Sequence, residues 1–427
     1  MTQVVRPVAI VAGARIPFAR SNTRYAECSN QALLTASIAG LVDRYQLHGE
    51  TLGVAVAGAI VKHSRDFSLC RESILGAGLS PTTPAFDLQQ ACATGLEAAI
   101  TVANQIALGH IEVGLAGGVD TGSDVPIGIS EPLRKMLLRF RRARTLKQRL
   151  LVLAQLRPWH FKLLLPANVE PRTGLSMGQH CEQMAKLWQI ARQAQDELAL
   201  SSHQKAQAAF EAGFFKDLVV PFLGLNQDNN IRPNSSLSQL AALKPVFDTR
   251  SGLGTLTAGN STPLTDGSSC VLLASEQWAK SRGLEPMAYL THYETAAVDF
   301  VTGREGLLMA PAYAVPKMLS KAQLTLQDFD FYEIHEAFAA QVLCTLKSWQ
   351  DDAFCKNKLG LSQPLGAIHL DRLNVHGSSL AIGHPFAATG GRILATAAQL
   401  LKNRGQGRAL VSICAAGGLG VTAILER

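Results

Sequence analysis

Cys92-Ala93-Thr94-Gly95 opens an alanine-rich run, Leu96 to Leu108, that stops at Gly109 and gives way to Val113-Gly114-Leu115-Ala116-Gly117-Gly118. Near the other end of the chain, Ala387-Ala388-Thr389-Gly390 opens a second run through Leu401. A turn at Asn403-Arg404-Gly405-Gln406-Gly407 then leads to Ala409-Leu410-Val411-Ser412-Ile413. The order is the same in both places: a turn of small residues, a helix-length stretch, and an apolar strand-like run. The spacing is also close, 19 residues from Gly95 to Gly114 and 21 from Gly390 to Val411. A duplicated strand–helix–strand unit follows. Its strands are apolar on both faces, which predicts sheets covered by helices on each side. The fold class is α/β.

Working outward, 427 residues with 47% apolar content can fill several cores. The first half is placed at 1–124 and 245–284, an insertion at 125–244, and the second half at 285–427. The insertion lacks repeated strand runs. Helices are expected from Met177 to Trp188 and from Ala191 to Ala212, the second stopped by Gly213. Tight turns are expected at Gly254-Thr255-Leu256-Thr257-Ala258-Gly259-Asn260 and at Asp266-Gly267, after which Cys270-Val271-Leu272-Leu273-Ala274 returns to the first sheet. None of the eight cysteines forms a CxxC pair, which argues against a structural zinc site. No signal-type start and no long unbroken apolar run is present, so reduced thiols and a cytoplasmic compartment are expected.

The formal charge of +7 comes from one place. Residues 131–163 hold ten Lys and Arg against the single acid Glu131, and the rest of the chain is close to neutral. Within that segment Leu133, Leu137, Phe140, Leu146, Leu150 and Leu153 recur near helical spacing, up to Pro158. A basic amphipathic helix of this kind suits a membrane surface or a partner protein; an ordinary solvated helix face packing on the insertion is the blander alternative. Nucleic acid is disfavoured, because no basic track continues elsewhere.

Three residues stand out chemically. Cys92 precedes a helix whose N-terminal N–H groups and dipole favour an anion. His384, in Gly377-Ser378-Ser379-Leu380-Ala381-Ile382-Gly383-His384-Pro385, sits on a glycine-dense turn and can take a thiol proton. Cys414, in Ile413-Cys414-Ala415-Ala416-Gly417-Gly418, ends a strand beside exposed backbone N–H groups, a setting for acid–base and oxyanion work. A small buried apolar role suits Cys28, Cys70, Cys181, Cys270, Cys344 and Cys355. Among the other histidines, His335 in Glu333-Ile334-His335-Glu336-Ala337-Phe338 is the one set at a strand end like a functional group.

These motifs, in this order, resemble the thiolase family across nearly the whole chain. Val8 to Phe18 is similar to its first strand and Arg-x-Pro-Phe turn. Cys92-Ala93-Thr94-Gly95 is similar to the nucleophile motif, Gly254 to Gly267 to the Gly-Thr-x-Thr-Ala-Gly-Asn signature, and Gly383-His384-Pro385 and Cys414 to Gly420 to the two C-terminal motifs. The resemblance implies duplicated α/β halves in an α-β-α-β-α arrangement with a helical insertion domain. It implies cleavage of 3-oxoacyl-CoA by coenzyme A in fatty acid β-oxidation. Cys92 would carry the acyl group, His384 would activate it, and Cys414 would move the α-carbon proton. One oxyanion hole would come from the N–H groups of Cys92 and Ala416, and the other from His384 with His335. Thr262, Ala337, Phe338 and Arg232 are the implied coenzyme A contacts. No cofactor or metal is implied, coenzyme A being a substrate. A homodimer or tetramer is implied, and the His-Glu-Ala-Phe form resembles thiolase subunits of multienzyme β-oxidation complexes, which adds a partner subunit. Ser378, Ala387 and Ala416 stand where the family has glycine. A short-chain acetoacetyl-CoA thiolase and a decarboxylating 3-oxoacyl synthase are the alternatives.

Overall fold

The computed structural model describes residues 5–302 and 305–427. Nine strands build the framework: β1 (Val8–Arg15), β2 (Val54–Ala57), β3 (Ala85–Asp87), β4 (Val113–Asp120), β5 (Thr265–Ser275), β6 (Ala288–Ala297), β7 (Phe331–Ile334), β8 (Arg408–Ala415) and β9 (Leu419–Glu426). They hydrogen-bond in the order β7-β8-β9-β6-β1-β5-β4-β2-β3. The helices that matter here are α1 (Asn30–Arg44), α2 (Thr94–Ala107), α3 (Glu131–Arg142), α4 (Leu146–Leu153), α5 (Met177–Leu187), α6 (Arg192–Glu211), α7 (Ala310–Ala322), α8 (Ala339–Gln350) and α9 (Ala388–Arg404).

The two halves meet edge to edge through only two pairs, Ala9 with Tyr289 and Ile10 with Ala288. Parallel pairing of β2 with β4 in one half is matched by β7 with β8 in the other. Strand alternation sets the layers. In β1, Val8 and Ile10 join a central core with Leu96 and Ile100 of α2 and Ile393 and Leu394 of α9. Ala9 and Val11 face the other way, onto Leu33, Leu34 and Ile38 of α1. The second half covers its outer face with Val315 and Met318 of α7 and Val342 and Leu346 of α8. Helices α2 and α9 therefore form the middle layer of an α-β-α-β-α stack. The duplicated turns become the starts of these two neighbouring helices.

The predicted insertion helices form at α5 and α6, and Gly213 follows α6 with φ of +74°. Two expectations for 125–244 are corrected. A short ribbon, Gly128–Ile129 against Leu163–Leu164, breaks the all-helical reading. The basic segment is not one helix ended by Pro158. It is α3 and α4, because Thr145 caps a new helix in a reciprocal box with Gln148, and Pro158 opens a 3-10 turn.

Candidate active site

The threonine of each repeated motif ties down a reactive residue. Thr94 accepts the Gln90 N–H and donates to the Ala91 carbonyl, closing the turn that carries Cys92. Ala91 in that turn has φ of +46°, a conformation that costs an L-residue energy. In the second copy, Thr389 Oγ1 lies 2.5 Å from His384 Nδ1. The turns are joined directly, since Gly95 N–H donates to the Ala387 carbonyl. Asp120, at the end of β4, accepts from the N–H groups of Ile60, Val61 and Ala387 and so clamps both halves.

This framework brings His384 Nε2 to 3.1 Å from Cys92 Sγ. Cys414, at the end of β8, is fully enclosed beside them: burial first, and then the neighbouring Cys92, push its thiol well above the usual cysteine range. Two backbone N–H groups, those of Ala416 and of Cys92 itself, act on the Cys92 sulfur. Ala416 sits outside the positive-φ region, which Gly417 and Gly418 occupy instead at +79° and +73°. Alanine thus fits where the family has glycine, and the N–H is kept.

The electrostatics correct one expectation. The helix N-terminus does not make Cys92 a resting thiolate. Burial pushes its thiol up to about 12, and burial followed by the Arg392 charge pushes His384 down to about 3. The resting pair is a neutral thiol and a neutral imidazole.

His335 is completely buried, its ring 4.2 Å from that of His384. Burial, then His384 and Arg392, holds it well below the usual histidine range, so it is neutral. One ligand atom each from Cys92, His335 and His384 lie within 4.8 Å of one another. A soft divalent ion could use that donor set. Beside Cys92 opens a cavity of ≈ 440 Å³, lined by Ile60, Val61, Val125, Pro126, Val169, Met177, Leu264 and Phe386, among others. Glu170, also in its wall, accepts the Gly417 N–H and braces the Cys414 turn.

Of the remaining predicted contacts, Ala337 and Phe338 pack in one buried cluster with Cys414, against which Met177 of the cavity wall also rests. Thr262 bonds to the Ala337 carbonyl through both its N–H and its hydroxyl, at 3.2 and 3.0 Å, and Ser261 pairs with Phe338. They form one seam, but the wall beside Cys92 is made by others. Arg232 is exposed, and its backbone N–H donates to His203. Sequence reasoning missed Thr389, Ser379, Asp120 and Glu336. Glu336, buried, accepts from Ser202, Asn374 and the Leu380 N–H and holds the His384 loop to β7. The repeated threonine was the signal that could have exposed Thr389.

Residues 8–277 match the family description "Thiolase, N-terminal domain" and residues 284–427 match "Thiolase, C-terminal domain". A 3-ketoacyl-CoA thiolase of Photorhabdus laumondii is 42% identical over 432 residues, covering 100% of this chain and 98% of the relative. One from Aeromonas salmonicida is 43% identical over 425 residues, covering 98% and 96%. Among solved structures, a Bacillus anthracis acetyl-CoA acetyltransferase superposes with a TM-score of 0.82 at 29% identity, covering 100% of each chain. Human mitochondrial 3-ketoacyl-CoA thiolase gives 0.82 at 27%, covering 99% of each.

Proposed function

The chain belongs to the thiolase family, as an acyltransferase that cleaves 3-ketoacyl-CoA, and from that premise we propose how its residues divide the reaction. Cys92 Sγ adds to the C3 carbonyl while its proton passes to His384 Nε2. The C3 oxyanion is met by the N–H groups of Cys92 and Ala416. The C2–C3 bond then breaks, leaving the acyl group as a thioester on Cys92 and an acetyl-CoA enolate whose oxygen faces His384 and His335. Cys414 gives its proton to C2, and acetyl-CoA departs. The thiol of coenzyme A then attacks the acyl-cysteine and loses its proton to Cys414, while His384 returns a proton to Cys92. Thiol, imidazole and second thiol supply every role in this scheme without calling on a metal or other cofactor.

The observation that carries this reading is the 3.1 Å contact between His384 Nε2 and Cys92 Sγ, with Cys414 enclosed in the same site. The wall of branched apolar side chains beside Cys92 favours medium or long acyl chains and a β-oxidation role. Cleavage assays on C4 and C16 3-oxoacyl-CoA test it: a higher kcat/KM on C16 is expected, and the reverse ranking favours the short-chain acetoacetyl-CoA thiolase.

The same reading extends to partners. The first sheet ends at β3, an open edge whose Phe86 is 44% exposed, which supports pairing of two copies there. Light scattering on the purified protein should give a dimer or a tetramer. Among the described residues no helix is long and apolar enough to cross a membrane. The α3–α4 excursion shows solvent both its basic and its apolar side chains, which supports peripheral contact of a cytoplasmic enzyme with an anionic lipid surface.

A further inference from the structure

His335 has one ring nitrogen accounted for and one left over. Nδ1 lies 2.8 Å from Ser379 Oγ, while Nε2 is buried with no partner in the protein. Buried polar atoms are rarely left so, and those that are tend to await something else. The identity of the leftover atom follows from its neighbours. Ser379 Oγ also lies 2.7 Å from Arg392 Nη2, and these two contacts are its only side-chain partners among the described residues. A guanidinium can only donate. The hydroxyl therefore accepts from Arg392, and its single hydrogen has one acceptor to go to, His335 Nδ1. In a neutral imidazole the remaining hydrogen is then on Nε2.

We propose that Arg392 and Ser379 are positioning residues that lock His335 in the Nε2–H tautomer, making it a donor for the substrate's thioester oxygen as the enolate forms. The two rings, 4.2 Å apart, are thereby set in opposite senses. His384 offers an Nε2 lone pair to the Cys92 thiol and places its own hydrogen toward Thr389, whereas His335 offers a hydrogen. One histidine removes a proton and its neighbour cannot compete for it. Arg392 is itself 1% exposed and also donates to Ser378, so the relay is a fixed internal structure and not a surface contact. The serines of Gly377-Ser378-Ser379, one of which replaces a family glycine, thus have a task.

The inference rests on His335 being the donor proposed above, and the test separates the two. Solid-state 15N spectra of histidine-labelled enzyme, with His335 assigned by its loss in His335→Gln, should show hydrogen on Nε2; hydrogen on Nδ1 overturns the relay whatever the kinetics. Ser379→Ala should lower kcat by about 10- to 100-fold, as loss of an orienting partner does. KM and the alkylation rate of Cys92 should stay in place. In the His335→Gln background, where the amide donor needs no tautomer, Ser379→Ala should have no further effect; an additive loss there overturns the assignment. Full kcat in His335→Ala sinks the donor role itself. The wild-type spectrum decides the relay even where a serine variant folds poorly.

Discussion

At the scale of residues, the reactive pair is held neutral by its surroundings. A thiol pushed up to about 12 beside an imidazole pushed down to about 3 leaves no ion pair at rest. The pH consequence follows from those directions. Iodoacetamide reacts with thiolate, so alkylation of Cys92 should keep rising from pH 6 through pH 9; a plateau above pH 7 would show a preformed thiolate instead. Acid should not disable the base near the usual histidine value of about 6.5, because His384 stays unprotonated far below it. The acylation step should therefore keep its rate from pH 8 down to pH 5. The second sulfur has a separate task. Cys414→Ser should slow α-proton exchange of acetyl-CoA in D2O by about 10²- to 10⁴-fold while Cys92 still becomes acylated, and unchanged exchange would favour a decarboxylating synthase. Cys92, His384 and Cys414 were legible because each lies in a local turn of small residues that a buried apolar cysteine or a core histidine has no need of. Ser379 and Arg392 were not. Their meaning depends on His335, which the chain brings to them from beyond the end of β7, more than forty residues before Ser379.

Among elements, the site exists because the starts of α2 and α9 touch. A Cβ built on Gly390 would fall 2.2 Å from the Leu96 nitrogen, and one on Gly95 would fall 2.8 Å from both the Ala387 oxygen and the Gly391 nitrogen. These neighbours are backbone, so they cannot swing aside. Gly390→Ala should cost about 1–3 kcal/mol of stability through overpacking. It should also lower activity more than the stability loss explains, because separating the helices moves His384 from Cys92. Thermal unfolding paired with kcat measures both, and a variant as stable and active as the parent would mean that the crossing is not tight. The repeat announced these two helices and the strands after them, since small-residue turns and apolar runs are local patterns. What it could not announce is that the copies pack start to start, which requires three-dimensional pairing of the halves. The break between α3 and α4 was hidden for a different reason. Leucines at helical spacing continue across it, while the cap formed by Thr145 and Gln148 ends the helical register.

For the molecule as a whole, the excursion between Gly128–Ile129 and Leu163–Leu164 is poorly explained by packing. Helix α4 has no buried residue, and Leu146, Leu150 and Leu151 are 73%, 57% and 58% exposed. Among the described residues, the basic side chains here find one acid, Glu131, which pairs with Arg134 and Lys135. Apolar and cationic groups on one solvent-facing element are expensive for a surface meant to meet water alone, and they suit an interface where leucines enter the acyl boundary and arginines meet lipid phosphates. The segments flanking the excursion, at Val125-Pro126 and Pro166 to Glu170, line the cavity beside Cys92, so lipid contact would place the acyl site next to the source of long chains. At about 1 kcal/mol per basic residue near an anionic leaflet, reversing Arg141, Arg142 and Arg144 to Glu should remove at least about 3 kcal/mol, on the order of 100-fold in partitioning. The wild-type enzyme should float with phosphatidylserine vesicles at low salt and be released as salt shortens the Debye length below about 10 Å. The triple variant should stay at the bottom of the gradient while its kcat on a soluble C4 substrate is unchanged, because none of the three touches the catalytic turns. Flotation of the variant equal to that of the parent would assign the vesicle contact to another surface and leave the excursion to a protein partner.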